Sequence, residues 1–239
     1  MDDQFDVLEL ANREFGSLHE RAIAAIAALS GSAPVDAERL ALSGCDGQLL
    51  ELYRERYGPE LRAVSACPKC GAVLELQFAV DDLLHAIAEP VDGDLSLTSG
   101  EYELELRLPT VADVARARSA GALERAAATL VAACVSACLR GGIEVSLDAV
   151  PPTVLDEAQR RLERFDLAAE PLELDCPDCA TKWNAALDVP TLVLAELDAE
   201  GRRLLADVHV LACAYGWSER EIAALPPARR RRYVEMVLG

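Results

Sequence analysis

The sequence predicts an α+β chain, mostly helical, in which a small antiparallel ribbon is split by a helical insertion and flanked by helices at both ends. Three observations predict it. Ala and Leu dominate a chain that is 51% hydrophobic but only 5% aromatic, a balance that favours helices. Long stretches place apolar residues at helical spacing, while a few short ones alternate as strands do. Two cysteine pairs of one form, Cys67-Pro68-Lys69-Cys70 and Cys176-Pro177-Asp178-Cys179, stand far apart in the chain.

Each C-P-x-C pair has the form of a knuckle, a tight turn that points two thiolates at one metal. Two such pairs supply the four sulfurs of a closed tetrahedral Zn2+ site at Cys67, Cys70, Cys176 and Cys179. A closed site has no open coordination position, so the expected role is structural. The flanks match as well. Thirteen residues after the first cysteine of each pair stands a valine, Val80 or Val189, and three further on a leucine, Leu83 or Leu192. Between them Val73, Leu74, Leu76 and Phe78, and then Trp183, Ala185 and Leu187, read as strand. The two segments are matching halves of one split zinc-ribbon-like sheet. A redox dithiol is the competing reading, but such a motif usually occurs once, at a helix start. Disulfides are disfavoured, because Met1-Asp2-Asp3-Gln4 is acidic and lacks an apolar signal core; the expectation is a cytoplasmic chain.

The remaining elements follow in order. Phe5 to Leu29 reads as one helix, ended by Ser30-Gly31-Ser32-Ala33-Pro34. Asp36 to Leu42 is a further turn or two. Ser43-Gly44-Cys45-Asp46-Gly47 reads as a break before an amphipathic helix, Gln48 to Tyr57, closed by Gly58-Pro59. Val80 opens a short helix that carries His85 on its surface. Glu101 to Leu108 alternates strictly and reads as a half-exposed strand, with Leu95 and Leu97 as its partner; this hairpin is expected to extend the ribbon sheet. Thr110 caps a helix whose Asp113 suits a helix N-terminus. A long helix is expected from Leu123 to Arg140, ended by Gly141-Gly142, with Cys134 and Cys138 on a buried stripe beside Leu130, Val131, Val135 and Leu139. Thr153 caps another to about Phe165. Leu172 to Asp175 is a strand into the second knuckle. Leu192 to Ala214 is a strong helix, in which His209 and Cys213 are read as packing residues. Gly216 stops it, and Ser218 with Glu221 forms a capping box for the next. The expected segments are N-terminal helices over 1–60, the first ribbon half and hairpin over 61–108, a helical insertion over 109–170, the second ribbon half over 171–190 and a helical segment over 191–239.

Charge narrows the function. With 23 Lys plus Arg against 41 Asp plus Glu, the net charge is −18. Nucleic acid and anionic lipid both bind through basic surface, so neither is an expected partner. No apolar stretch is long enough to span a bilayer. There is no G-x-S-x-G, no phosphate loop with its Lys and no H-E-x-x-H, and three scattered histidines make no constellation, so no enzyme and no small-molecule substrate are expected. Arg229, Arg230, Arg231 and Arg232 form the one concentrated basic run in an acidic chain, beside Tyr233. They are candidate contacts for an acidic partner or a solvated helix face. Trp217 is expected at the helix junction or as an anchor for a partner.

The run Leu205-Ala206-Asp207-Val208-His209-Val210-Leu211-Ala212-Cys213-Ala214-Tyr215-Gly216-Trp217-Ser218-Glu219-Arg220-Glu221-Ile222, continuing to Arg230-Arg231-Arg232-Tyr233, resembles the C-terminal signature of small baseplate-associated proteins of contractile phage tails and phage-tail-like injection systems. The resemblance extends to both cysteine knuckles, to Leu108-Pro109-Thr110 and to the Leu49–Pro59 helix. It implies a zinc-stabilised baseplate hub assembly protein or chaperone, without catalytic activity, whose partners are baseplate, hub or spike subunits. Ala180 departs from the pattern, standing where a second glycine is expected after the knuckle. The competing reading is a zinc-ribbon module that binds nucleic acid or the transcription machinery, which the acidic charge opposes.

Overall fold

A computed structural model describes residues 3–30, 39–88, 95–163 and 172–239. The fold is α+β and mostly helical, with small antiparallel sheets and helices at both ends. It divides into two compact units, residues 1–34 with 190–239 and residues 35–189. Among the described residues no helix is long and apolar enough to cross a membrane.

The first unit is helical. It holds α1 (Asp3–Asn12) and α2 (Leu18–Ser30), and most of a long helix, α8 (Val189–Tyr215), followed by α9 (Glu219–Ala223) and α10 (Pro227–Leu238). The expected single helix over Phe5–Leu29 is therefore two. The reason is local: the Ser17 hydroxyl accepts from the N–H of Glu20 at 3.1 Å, and the Glu20 carboxylate accepts from the N–H of Gly16 at 2.9 Å, which restarts the helix. Leu8, Leu204, Val208, Leu211, Ile222 and Ala223 form one core cluster of this unit, with Trp217, Tyr233 and Val234 packed against it. Gly201 lets α1 come close: a Cβ there would sit 2.5 Å from that of Ala11. Arg21 grips both carboxylate oxygens of Asp198.

The second unit opens with α3 (Leu42–Tyr57) and the hairpin β1 (Glu60–Ala66)–β2 (Val73–Ala79), followed by α4 (Val80–Ala88). Helix α3 starts six residues earlier than expected and runs through Gly44 and Gly47. Tertiary contacts override glycine propensity there: the Pro109 carbonyl accepts from the N–H of Leu42 at 3.0 Å, and Cys45 is only 2% exposed. Of the expected turns over Asp36–Leu42, residues 36–38 lie outside the described residues; Arg39 and Leu40 make a turn, Ala41 bridges Thr110 and Leu42 already begins α3.

A four-stranded antiparallel sheet follows, in the order β3 (Leu97–Ser99), β4 (Tyr102–Leu106), β5 (Val135–Arg140), β6 (Ile143–Glu144). Two expectations are corrected here. The β3–β4 hairpin does not extend the ribbon; it forms this separate sheet. The expected helix over Leu123–Arg140 ends at Cys134, as α6 (Leu123–Cys134), and its last six residues are β5. Strand β4 buries Tyr102, Leu104 and Leu106 and needs a partner on its inner edge, which β5 supplies in the register Tyr102↔Arg140 and Leu104↔Cys138. Gly141 and Gly142, at φ 57° and 79°, make the two-residue turn into β6 rather than a helix cap. Helices α5 (Val111–Arg118), α6 and α7 (Pro152–Glu163) complete the insertion, and Val131, Val154 and Ala158 join the core of the sheet. Pro152 begins α7, so Thr153 lies inside it, and the expected end at Phe165 lies outside the described residues. A second hairpin, β7 (Leu172–Asp175)–β8 (Lys182–Ala185), closes the unit.

Candidate metal centre

The two hairpins carry the same turn. In the first, Ala66 and Val73 are the last paired residues, and the chain between them folds on two backbone bonds: Cys67 N–H to the Ala72 carbonyl at 2.8 Å and Gly71 N–H to the Cys67 carbonyl at 2.9 Å. In the second, Asp175 and Lys182 close the ladder, Cys176 N–H donates to Thr181 at 2.9 Å and Ala180 N–H donates to Cys176 at 3.0 Å. Each turn needs a residue in the left-handed region at its fifth position. Gly71 has φ 74°, and Ala180 has φ 55° without a glycine's freedom. Thirteen residues after Cys67 and Cys176, the buried Val80 and Val189 each begin a helix. The repeat read from the sequence, knuckle, strand and helix start, is thus a repeat of structure, and β1 supplies before the first knuckle the strand that the sequence reading gave only to the second.

The knuckles meet. Cys67, Cys70, Cys176 and Cys179 place their sulfurs within 4.8 Å of one another. Cys67 Sγ lies 3.7 Å from Cys179 Sγ, and Cys70 Sγ lies 3.5 Å from Cys176 Sγ. Zn–S bonds of about 2.3 Å in a tetrahedron require sulfurs roughly 3.8 Å apart, so the cluster fits a metal site of four thiolates. Cys67 and Cys176 are buried, Cys179 is half-buried and Cys70 is exposed, so the cluster sits at the rim of its unit.

Backbone and hydroxyl donors surround the sulfurs. The N–H of Cys70, aided by that of Lys69 and by neighbouring sulfurs, holds the Cys67 thiol down to about 6. The N–H of Ala72 favours the Cys70 thiolate, but the three adjacent sulfurs and burial outweigh it and push that thiol up to about 12. The Thr181 hydroxyl, with Oγ1 at 3.2 Å, and the Thr181 N–H lower Cys179. Without a cation, four thiolates this close repel; a divalent metal relieves that repulsion and displaces the protons. Four sulfur donors leave no vacant position for a substrate.

The other cysteines stay apart from this cluster. Cys45, Cys134 and Cys138 are buried, the last two as expected of small core residues, although Cys138 lies on β5 rather than on a helical stripe with Cys134. Burial pushes Cys45 up to about 12 and Cys134 up to about 11. Cys213 and His209, expected to pack, are exposed, as is His85. An apolar cleft of about 170 Å³ lies in the second unit against Leu108, Pro109, Leu130 and Cys134, and its polar rim, Gln159 and Glu163, is spent on one hydrogen bond of 2.9 Å.

The candidate contact residues lie in the first unit. Trp217 is half-buried; its ring stacks on Tyr215 at 4.8 Å and meets the Tyr233 ring edge-on at 5.1 Å. Tyr215 is the member that the sequence reading missed. Gly216, at φ 69°, doubles the chain back between the two rings, and the Tyr-Gly-Trp order is the signal for it. The arginine run does not act as one group. Arg230 turns inward, 8% exposed, and its guanidinium bonds Asp207 at 2.9 Å and the Gln4 side chain. Arg229, Arg231 and Arg232 face outward.

Compared with protein-family models, with curated proteins and with solved structures, the chain matches none.

Proposed function

We propose that this chain is a non-enzymatic assembly or adaptor protein of a contractile-tail or injection-system baseplate, held in shape by one structural zinc ion on Cys67, Cys70, Cys176 and Cys179. The observation that carries the zinc reading is the convergence of four sulfurs from two sequence-distant knuckles. A tetrahedral all-sulfur set suits zinc or an iron–sulfur cluster, and two C-P-x-C turns on separate hairpins are the zinc-ribbon arrangement. The metal ties together two hairpins that share no strand pairing, and so acts on shape rather than chemistry. A reducing, cytoplasmic compartment keeps such thiols available.

The baseplate reading rests on the resemblance of residues 205–233 and of both knuckles. It is supported by a surface in which Trp217, Tyr233 and three outward arginines, residue types enriched where proteins meet, gather in the C-terminal segment. The test is affinity purification of the tagged full chain from cells expressing its native gene neighbourhood, read by mass spectrometry. Recovery of baseplate, hub or spike subunits supports the reading. Recovery of polymerase, ribosome or nucleic acid in their place overturns it.

A further inference from the structure

Helix α10 has a fully employed inner side. Arg230, Tyr233 and Val234 follow one another at helical spacing, and all three engage the core or the Asp207–Gln4 pair. Its outer side is unusual in two ways. Arg229 stands in the first turn, where the helix dipole is positive and an acidic residue is the stabilising choice, and Arg231 and Arg232 follow in the second; no acidic residue stands in the first turn. Among the described residues, none of these three arginines has a carboxylate within ion-pair distance. Further along the same side, Met236 is 73% exposed.

This placement costs stability in the isolated chain. Three positive charges in two turns repel one another, and Arg229 also meets the positive helix end, in a protein that has acid to spare elsewhere. Residues 190–239 carry seven arginines and seven acidic residues, against −18 for the whole chain. An anionic occupant would reverse the sign of the effect. The neighbouring surface specifies what kind. Tyr233 lies one turn after Arg229 and just before Met236, and its ring joins those of Trp217 and the 41% exposed Tyr215. Aromatic rings, a methionine and arginines together suit a peptide segment with carboxylates and an apolar anchor.

We infer that the outer face of α10, from Arg229 to Met236, with the Tyr215–Trp217–Tyr233 cluster at its flank, docks an acidic segment of a partner protein that carries an apolar anchor residue. A nucleic acid is disfavoured because every phosphate beyond those facing the patch would meet acidic surface. The inference rests on the adaptor reading above and names its binding face.

The test uses the full zinc-loaded chain and a fluorescein-labelled acidic peptide carrying one phenylalanine, with fluorescence anisotropy at low and moderate salt. The wild type is expected to bind, more weakly as salt rises. The Arg229→Glu/Arg231→Gln/Arg232→Gln protein is expected to bind at least about tenfold more weakly while melting no lower than wild type, since it places an acid in the first turn of the helix and adds no negative charge beside Glu235. That pairing of equal or higher stability with lost binding is the signature. The same affinity in wild type and variant, no binding of the peptide, tighter binding of an oligothymidylate, or salt-sensitive self-association that the variant abolishes would each overturn the inference. Co-purification separates it from the baseplate reading. Peptide binding without recovery of a baseplate subunit keeps this face and removes the baseplate. Equal recovery of such subunits by the triple variant keeps the baseplate and removes this face.

Discussion

Gly71 and Ala180 occupy one position in two copies of one turn, with φ of 74° and 55°. The two knuckles match in backbone hydrogen bonds to within 0.1 Å, 2.8 and 2.9 Å in one against 2.9 and 3.0 Å in the other. They differ in cost, because the left-handed region suits glycine and strains alanine.

Exchange at these two sites should therefore have opposite signs. Ala180→Gly removes a strained Cβ and is expected to stabilise by up to about 1 kcal/mol, the entropy of the freer unfolded chain taking back part of the gain. Gly71→Ala adds strain and is expected to cost about 1 kcal/mol; nothing lies within 4 Å of the added Cβ, so the penalty is purely one of backbone. Chemical denaturation of the metal-loaded proteins measures both. Equal effects of the same sign would mean that the two turns are not equivalent in solution.

Metal analysis of the purified chain is expected to return about one zinc per molecule. Cys176→Ser should lose it and unfold at much lower denaturant, because metal binding is coupled to the joining of the two hairpins. Full metal retention by Cys176→Ser would sink the shared site, since each knuckle would then be acting alone.

Gly201 lies inside α8, where alanine normally gains about 1 kcal/mol of helix propensity. Here the added Cβ would meet that of Ala11 at 2.5 Å. Gly201→Ala is expected to destabilise by about 1–3 kcal/mol as α1 is pushed away. A rise in melting temperature would show that α1 does not pack closely at Gly201.

Asp113 is 2% exposed and gathers the N–H and hydroxyl of Thr110 and the Arg107 guanidinium, at 2.9, 2.8 and 2.6 Å. Arg107 foremost, then the Thr110 donors, hold its carboxyl well below the usual carboxylate range. A depressed folded value means that the stabilisation is complete at neutral pH and is lost as pH falls below about 4, where the unfolded chain takes up a proton first. Asp113→Asn is expected to cost about 2 kcal/mol at pH 7. The gap to wild type should narrow in acid. A gap independent of pH would show that the carboxylate's charge contributes nothing.

What the chain revealed by itself was local. The knuckles, the Thr110–Asp113 and Ser218–Glu221 capping boxes and the stop at Gly216 are each built from residues within a few positions of one another, so their geometry follows from the order of side chains. The four cysteines were legible for the same reason: each knuckle aims its own pair, and four sulfurs satisfy one metal. Tertiary structure decided the rest. Val135–Arg140 carries a helical pattern but became strand β5, because β4 offered an edge whose backbone groups had to be paired. Gly44 and Gly47 read as a break but lie in α3, because burial of Cys45 and Leu49 outweighed glycine's propensity. Arg230 and its three neighbours are identical in sequence, and only the packing of α10 against Asp207 separated one buried ion pair from three outward charges. Propensity differs by a fraction of a kcal/mol per residue, whereas burial and strand pairing are worth several, so long-range contacts prevail wherever the two disagree.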